Sequence, residues 1–146
     1  MEEINRHKLV YDKMLPYAEK NLKKIKVLPG VYLGNKKCYH NARQRLETGE
    51  SEAVCFVLSF IPRSGVNIHA VNKVGDTYVD NTLGYLSQFN NYFLIKEYLL
   101  EELCKLDETA YPEIIFDLVS FHKNEYLNKV FTKDELKELE IKHEHF

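Results

Sequence analysis

Cys38, His69 and Asp80 occur in that order along the chain, and together they offer nucleophilic thiol chemistry. A thiol is only weakly ionised at neutral pH, and the thiolate is the attacking species. A cysteine at a helix start gains from the unpaired N–H groups and the positive end of the helix dipole, both of which favour the anion. The same N–H groups can receive the oxyanion of a tetrahedral intermediate. A histidine on a strand can carry a proton between thiol and leaving group. A carboxylate on the next strand can hold the second ring nitrogen and fix the tautomer.

The elements that must position these groups are legible as patterns. Residues 3–26 are predicted as one helix, because Ile4, Leu9 or Val10, Met14, Leu15, Ala18, Leu22 and Ile25 recur at helical spacing. Pro16 is expected to kink or split it, and Leu28-Pro29-Gly30 to end it. After a short connection over 31–37, Ala42 to Glu47 favours helix and Gly49 stops it, which places Cys38 at or just before the first turn. Strands are predicted at 53–61, 66–74 and 77–83, with a turn over 62–65 and a hairpin at Gly75-Asp76. Folding about that hairpin brings position 69 level with 81 or 82. Asp80 lies within a residue or two of that level, and Asn81 is a second candidate for the orienting group.

Residues 84–95 read as loop and a fourth strand, 96–106 as helix, and 112–127 as a further helix with Pro112 near its start. Thr132 followed by Glu135 is a capping box, and it opens a last helix running into Lys142-His143-Glu144-His145-Phe146. The expected whole is a single α+β domain over 1–146. The helix bearing Cys38 packs on a small antiparallel sheet, and additional helices follow at the C-terminus.

Two short stretches carry a resemblance: His69-Ala70-Val71 followed by Asp80-Asn81-Thr82, with Cys38 31 residues before His69 and Asp80 11 after it. The order and gaps resemble the transglutaminase-like branch of the papain-like fold, over about residues 31–83. There a cysteine before a helix is followed by His-Ala-Trp and Asp-Pro-Thr. Val71 stands in place of the common tryptophan and Asn81 in place of the common proline. The stretches Cys38-Tyr39-His40-Asn41-Ala42 and Val79-Asp80-Asn81-Thr82 are also similar to small microbial and bacteriophage proteins of this kind. The resemblance implies an acyl-transfer enzyme acting on a protein or peptide amide through an acyl-enzyme: an amide hydrolase, peptidase, deamidase or transamidase. Tyr32 and Asn35 fall where papain-like enzymes place an oxyanion donor, and Tyr32, Asn35, Tyr39 and Asn41 are candidates to line the substrate cleft. No cofactor or metal is implied.

Other assignments compete for the same residues. His40 lies too close in sequence to Cys38 to face it on a helix. A zinc set of Cys38, His40 and His69 lacks a fourth ligand and paired spacing. Cys55, in an apolar strand, and Cys104, in a helix stripe, are expected in the core. His143 and His145 are expected at a solvated or frayed helix end. Lys20, Lys23, Lys24 and Lys26 form a basic cluster suited to a solvated face or an acidic partner. A binding module of the same fold is the alternative to an enzyme, with Tyr85, Phe89, Tyr92, Phe93 and Tyr98 as contact residues.

The composition fits these elements. With 45% hydrophobic and 29% charged residues, the 146-residue chain has an ordinary globular balance. A net charge of −2 argues against a general nucleic-acid binder. No apolar run is long enough to span a membrane. Three widely spaced cysteines without a CxxC argue against a disulfide framework. Met1 to Lys13 is charged where a signal peptide would be apolar, so a cytoplasmic location is expected.

Overall fold

The run 53–61 is apolar at nearly every position, and a strand buries such a run only if both its faces are covered. In the structure, a computed structural model describing residues 2–109 and 117–146, this run is strand β3 (Ala53–Ile61) at the middle of a six-stranded sheet. The other strands are β1 (Lys23–Ile25), β2 (Val27–Pro29), β4 (Gly65–Val74), β5 (Thr77–Asp80) and β6 (Asn91–Tyr98), in the order β1-β6-β3-β4-β5-β2. The helices are α1 (Glu3–Asn21), α2 (Cys38–Glu47), α3 (Leu100–Thr109), α4 (Leu118–Val130) and α5 (Lys133–Glu138). Short 3-10 turns lie at Gly84–Phe89 and His143–His145.

The edge strands β1 and β2 are separated in the chain by Lys26 alone. Six flat strands would set their edges about 24 Å apart, whereas Ile25 and Val27 can be no more than about 7 Å apart. The sheet is therefore curled. Its convex face carries Val54, Phe56, Leu58, Phe60, Ile68 and Ala70, which share a core with the helices. Helix α1 enters that core through Val10, Met14 and Ala18, spaced one turn apart. The concave face holds a second core with Cys55, Val57, Val71, Tyr78 and Tyr92, to which no helix contributes a residue. Among the described residues, it is the curl of the sheet that buries these side chains.

Several expectations are corrected. The first helix ends at Asn21, and Lys23–Ile25 forms β1, paired antiparallel with β6. Pro16 is exposed and leaves α1 unbroken; a carbonyl deprived of its N–H partner on that side can be met by water. The sheet is not wholly antiparallel, because β2 runs parallel to β5. The predicted helix at 96–106 begins only at Leu100, since β6 continues through Tyr98 to pair with Val54. In α3 the buried position is Leu103, so the neighbouring Cys104 is exposed rather than in the core.

Of the helix predicted over 112–127, residues 112–116 lie outside the described residues; α4 covers the remainder and is capped by the Asp117 carboxylate. The Thr132–Glu135 capping box is present. Its helix stops at Glu138, and Glu140 turns the chain with a φ of 54°. The end therefore folds back and buries Ile141, His145 and Phe146. His145 is thus not at a solvated helix end. Its Nε2 bonds the Glu3 carboxylate at 2.8 Å and its Nδ1 accepts from the Lys142 amide at 2.9 Å.

Among the described residues, no helix is long and apolar enough to cross a membrane.

Candidate active site

Cys38 is the first residue of α2. Asn41 N is the first amide to find a helical acceptor, on Lys37 O, so the amides before it belong to the unpaired first turn. Lys37 makes no side-chain cap there. The thiol is partly buried, and the His69 ring and the backbone amides of Ala70 and Tyr39 favour its ionised form. The Ala70 amide is available because β5 pairs with β4 only at Asn72, Lys73 and Val74. Beyond Asn72 the edge of β4 is open, and the start of α2 occupies it.

His69 is buried on β4, and its Nε2 lies 2.7 Å from Asp80 Oδ2. The register pairs Asn72 with Val79, so Asp80 lies level with Val71, and His69 reaches it diagonally across one face. Asp80 is fully buried at the end of β5. Its second oxygen accepts from the amides of Thr82 and Leu83 at 2.8 and 2.7 Å. Asn81 takes another direction: it donates to Asn72 Oδ1 at 2.9 Å and accepts from the Val31 amide. The orienting partner of His69 is therefore Asp80.

Burial opposes ionisation of all three groups, and their mutual contacts outweigh it. Burial pushes the Cys38 thiol up, yet the His69 hydrogen bond and charge, with the Ala70 and Tyr39 amides, bring it below its ordinary 9.0. Burial pulls His69 down, yet Asp80 and Cys38 push it up to about 10. Asp80 ends below its usual value because His69 and the amides of Leu83 and Thr82 outweigh its burial. These directions all favour the charged forms over the neutral thiol, imidazole and carboxyl. Cys55 shows the contrast: burial and Glu97 push it up to about 12, with no histidine at hand.

The segment between β2 and α2 is braced against the end of β5. Gly30 N donates to Asp80 O at 2.9 Å, and a Cβ on Gly30 would fall 2.8 Å from that same oxygen and collide with Asn81 Oδ1. Only glycine allows that approach. Gly84, at a φ of +52°, likewise lies against the backbone of Tyr32. Asn41 donates to Thr82 Oγ1 and to Asn35 Oδ1, both at 2.9 Å, while Asn35 Nδ2 bonds back to Asn41 Oδ1. This amide pair ties the first turn of α2 to the loop that holds the Asp80 carboxylate.

Of the four residues expected to line the cleft, two sit elsewhere. Asn41 is buried in the brace just described. Tyr39 stacks on Phe56 with ring centroids 5.7 Å apart, and its hydroxyl accepts from Arg43. Asn35 is exposed but engaged with Asn41 and the Lys37 amide. Tyr32 is exposed and bridges to Leu83 beside the Asp80 loop. His40 is exposed on α2. Cys38, His40 and His69 do not gather as an ion site; among the described residues the group able to share an ion is Glu3, Glu144 and His145.

Asn72 was not anticipated. It is fully buried, donating to Ala42 O at 2.8 Å and Ser51 Oγ at 3.0 Å while accepting from Asn81. It anchors α2 to β4. The available signal was an amide at an inward position of an otherwise apolar strand.

No family model, curated protein or solved structure matches the chain.

Proposed function

We propose that this protein is a cysteine-nucleophile acyl-transfer enzyme, related to the transglutaminase-like branch of the papain-like fold, that acts on a protein or peptide amide. What supports the proposal is the 2.7 Å bond between His69 and Asp80 on adjacent strands, with the Cys38 thiol at a helix start under the influence of the same ring. The Cys38 sulfur attacks the amide carbonyl carbon, and a C–S bond forms while the carbonyl electrons move to oxygen. Amides of the first turn of α2 stabilise that oxyanion. As the C–N bond breaks, His69 gives its proton to the leaving nitrogen. Water or an amine then attacks the thioester, His69 takes a proton from it, and the C–S bond breaks to return the thiolate. Water yields hydrolysis or deamidation; an amine yields transamidation. Asp80 keeps Nε2 occupied, so the other ring nitrogen faces the thiol throughout.

The test is the pH dependence of iodoacetamide alkylation at each cysteine, read by mass spectrometry. Exposed Cys104 is an internal standard for an accessible thiol, and buried Cys55 stays silent. At pH 6 an ordinary thiol of pKa near 8.5 is about 0.3% thiolate. Full ionisation of Cys38 would raise its population about 300-fold, and the weaker nucleophilicity of a low-pKa thiolate takes back part of that. Any depression of the Cys38 thiol should thus show as faster labelling than Cys104 at that pH, with His69→Ala abolishing the difference. Parallel profiles for Cys38 and Cys104 would remove the enzyme reading and leave a binding module.

A further inference from the structure

The segment that delivers Cys38 has a surface the acyl-transfer chemistry does not use. Between Glu19 and Glu47 the chain contains no acidic residue, though its net charge is −2. Six lysines lie there: Lys20, Lys23, Lys24, Lys26, Lys36 and Lys37. All are exposed, and none has an ion-pair partner among the described residues. Arg43 and Arg45 of the same segment are neutralised by Glu47, Asp107 and Glu50. The unpaired charge therefore sits at the end of α1, on the edge strand β1 and its link to β2, and on the approach to Cys38.

In the chain, apolar residues separate Lys26 from Lys36 and form half of an exposed strip. Val31, Tyr32 and Leu33 come from the approach to α2, and Tyr85, Leu86 and Phe89 from the 3-10 turn after Asp80. Tyr32 is 52% exposed, Tyr85 57% and Phe89 63%. The two halves form one surface: the Tyr32 and Tyr85 rings lie 5.5 Å apart, and Tyr32 pairs with Leu83. Leu33 and Gly34 donate to Thr82 O, and Thr82 N donates to the Asp80 carboxylate. The strip is thus continuous with the loop that holds the candidate site. Contiguous exposed aromatics of this kind mark a surface that receives a partner.

We infer that this lysine-flanked aromatic strip docks the acyl donor, and that the donor is a polypeptide segment combining acidic with aromatic or large apolar side chains. The inference rests on the proposed acyl-transfer role of Cys38. Lysines beside aromatics also suit single-stranded nucleic acid or an anionic bilayer. Only the polypeptide presents an amide carbonyl to the thiol at the end of the strip. Apolar side chains of the donor cover Tyr32, Tyr85 and Phe89, and its carboxylates meet the lysines. Lys36 and Lys37 lie directly before the nucleophile.

The experiment compares short peptides that carry one chloroacetamide group each: an acidic aromatic peptide, its Lys-substituted counterpart, and an acidic peptide with alanine in place of the aromatics. The readout is the rate of Cys38 labelling divided by the iodoacetamide rate in the same protein. At low salt the acidic aromatic peptide should exceed the basic one by about tenfold or more. The ratio should shrink toward unity near about 0.5 M salt. Lys36→Glu combined with Lys37→Glu should invert the order of the charged pair, and Phe89→Ala should reduce the gain from aromatics several-fold.

If iodoacetamide singles out Cys38 but the peptides all label alike, the docking inference falls and the acyl-transfer proposal stands. If iodoacetamide does not distinguish Cys38 from Cys104, both fall. Anisotropy with Cys38→Ala supplies the remaining outcome: tighter binding of a single-stranded oligonucleotide or of anionic vesicles than of the acidic aromatic peptide overturns the choice of polypeptide.

Discussion

Replacing Cys38 with alanine removes one titrating group and leaves the His69–Asp80 pair in place. A group whose folded pKa lies below its unfolded value contributes stability that is full above the unfolded value. That stability is lost as pH falls through the folded one. Cys38 is such a group, held below its ordinary 9.0 by His69 and two backbone amides against the upward push of burial. Wild-type stability minus that of Cys38→Ala should therefore climb by about 1.4 kcal/mol per pH unit. The climb starts where the folded thiol ionises and ends no later than about pH 9, where the unfolded thiol ionises too. Truncating the side chain adds an offset that does not vary with pH. Above that window the difference turns down, because His69, pushed up to about 10 with help from Cys38, gives up its proton. Urea unfolding of both proteins at fixed ionic strength and closely spaced pH gives the difference directly, and its lower bend reads the folded thiol. A difference that is flat below pH 9 and falls above it would show that burial wins at Cys38 as it does at Cys55. The thiolate–imidazolium assignment would then be refuted.

Two further perturbations probe the supports. Asp80→Asn places an amide where a fully buried carboxylate accepts from His69 and two backbone N–H groups. It should cost about 2–4 kcal/mol in urea unfolding and erase the low-pH labelling of Cys38. His145→Ala removes the bonds from the C-terminal turn to Glu3 and Lys142. It should cost about 1–3 kcal/mol by the same assay without altering the Cys38 labelling profile, since His145 contacts none of the three site residues.

The strands at the centre of the chain were legible because both signals agreed there. Residues 53–61 and 66–74 are rich in β-branched and aromatic side chains, and Gly75-Asp76 marks their exit turn, so β3, β4 and the start of β5 fall where the pattern puts them. That hairpin and the rule that alternate residues share a face brought His69 near Asp80 but left Asn81 open, and the register decides between them. Cys38 at the head of α2 followed from the helix formers after it and Gly49 beyond. The ends of elements were less legible. Lys23–Ile25 continues the helical spacing of α1, and only the distant partner Tyr92–Leu94 makes it a strand. His145 looks solvated from its charged neighbours, and only the turn at Glu140 carries it back onto α1.

The same distant pairing explains how a small chain buries a histidine and a carboxylate at one end of its sheet. β1 and β2, at three residues each, are too short to announce themselves, yet they occupy the two edges and sit one residue apart. That short link obliges the sheet to curl. The curl encloses the concave face, which no helix covers among the described residues, and His69 and Asp80 project from the strand positions that line this face, alongside Val71 and Tyr78. β2 also runs parallel to β5 and ends beside Asp80, so the chain leaving it at Gly30 passes along the carboxylate before reaching Cys38. Cys38 is therefore delivered by the strand that closes the sheet. A substitution that loosened the β2–β5 pair would be felt at Cys38 before it was felt in the helical core.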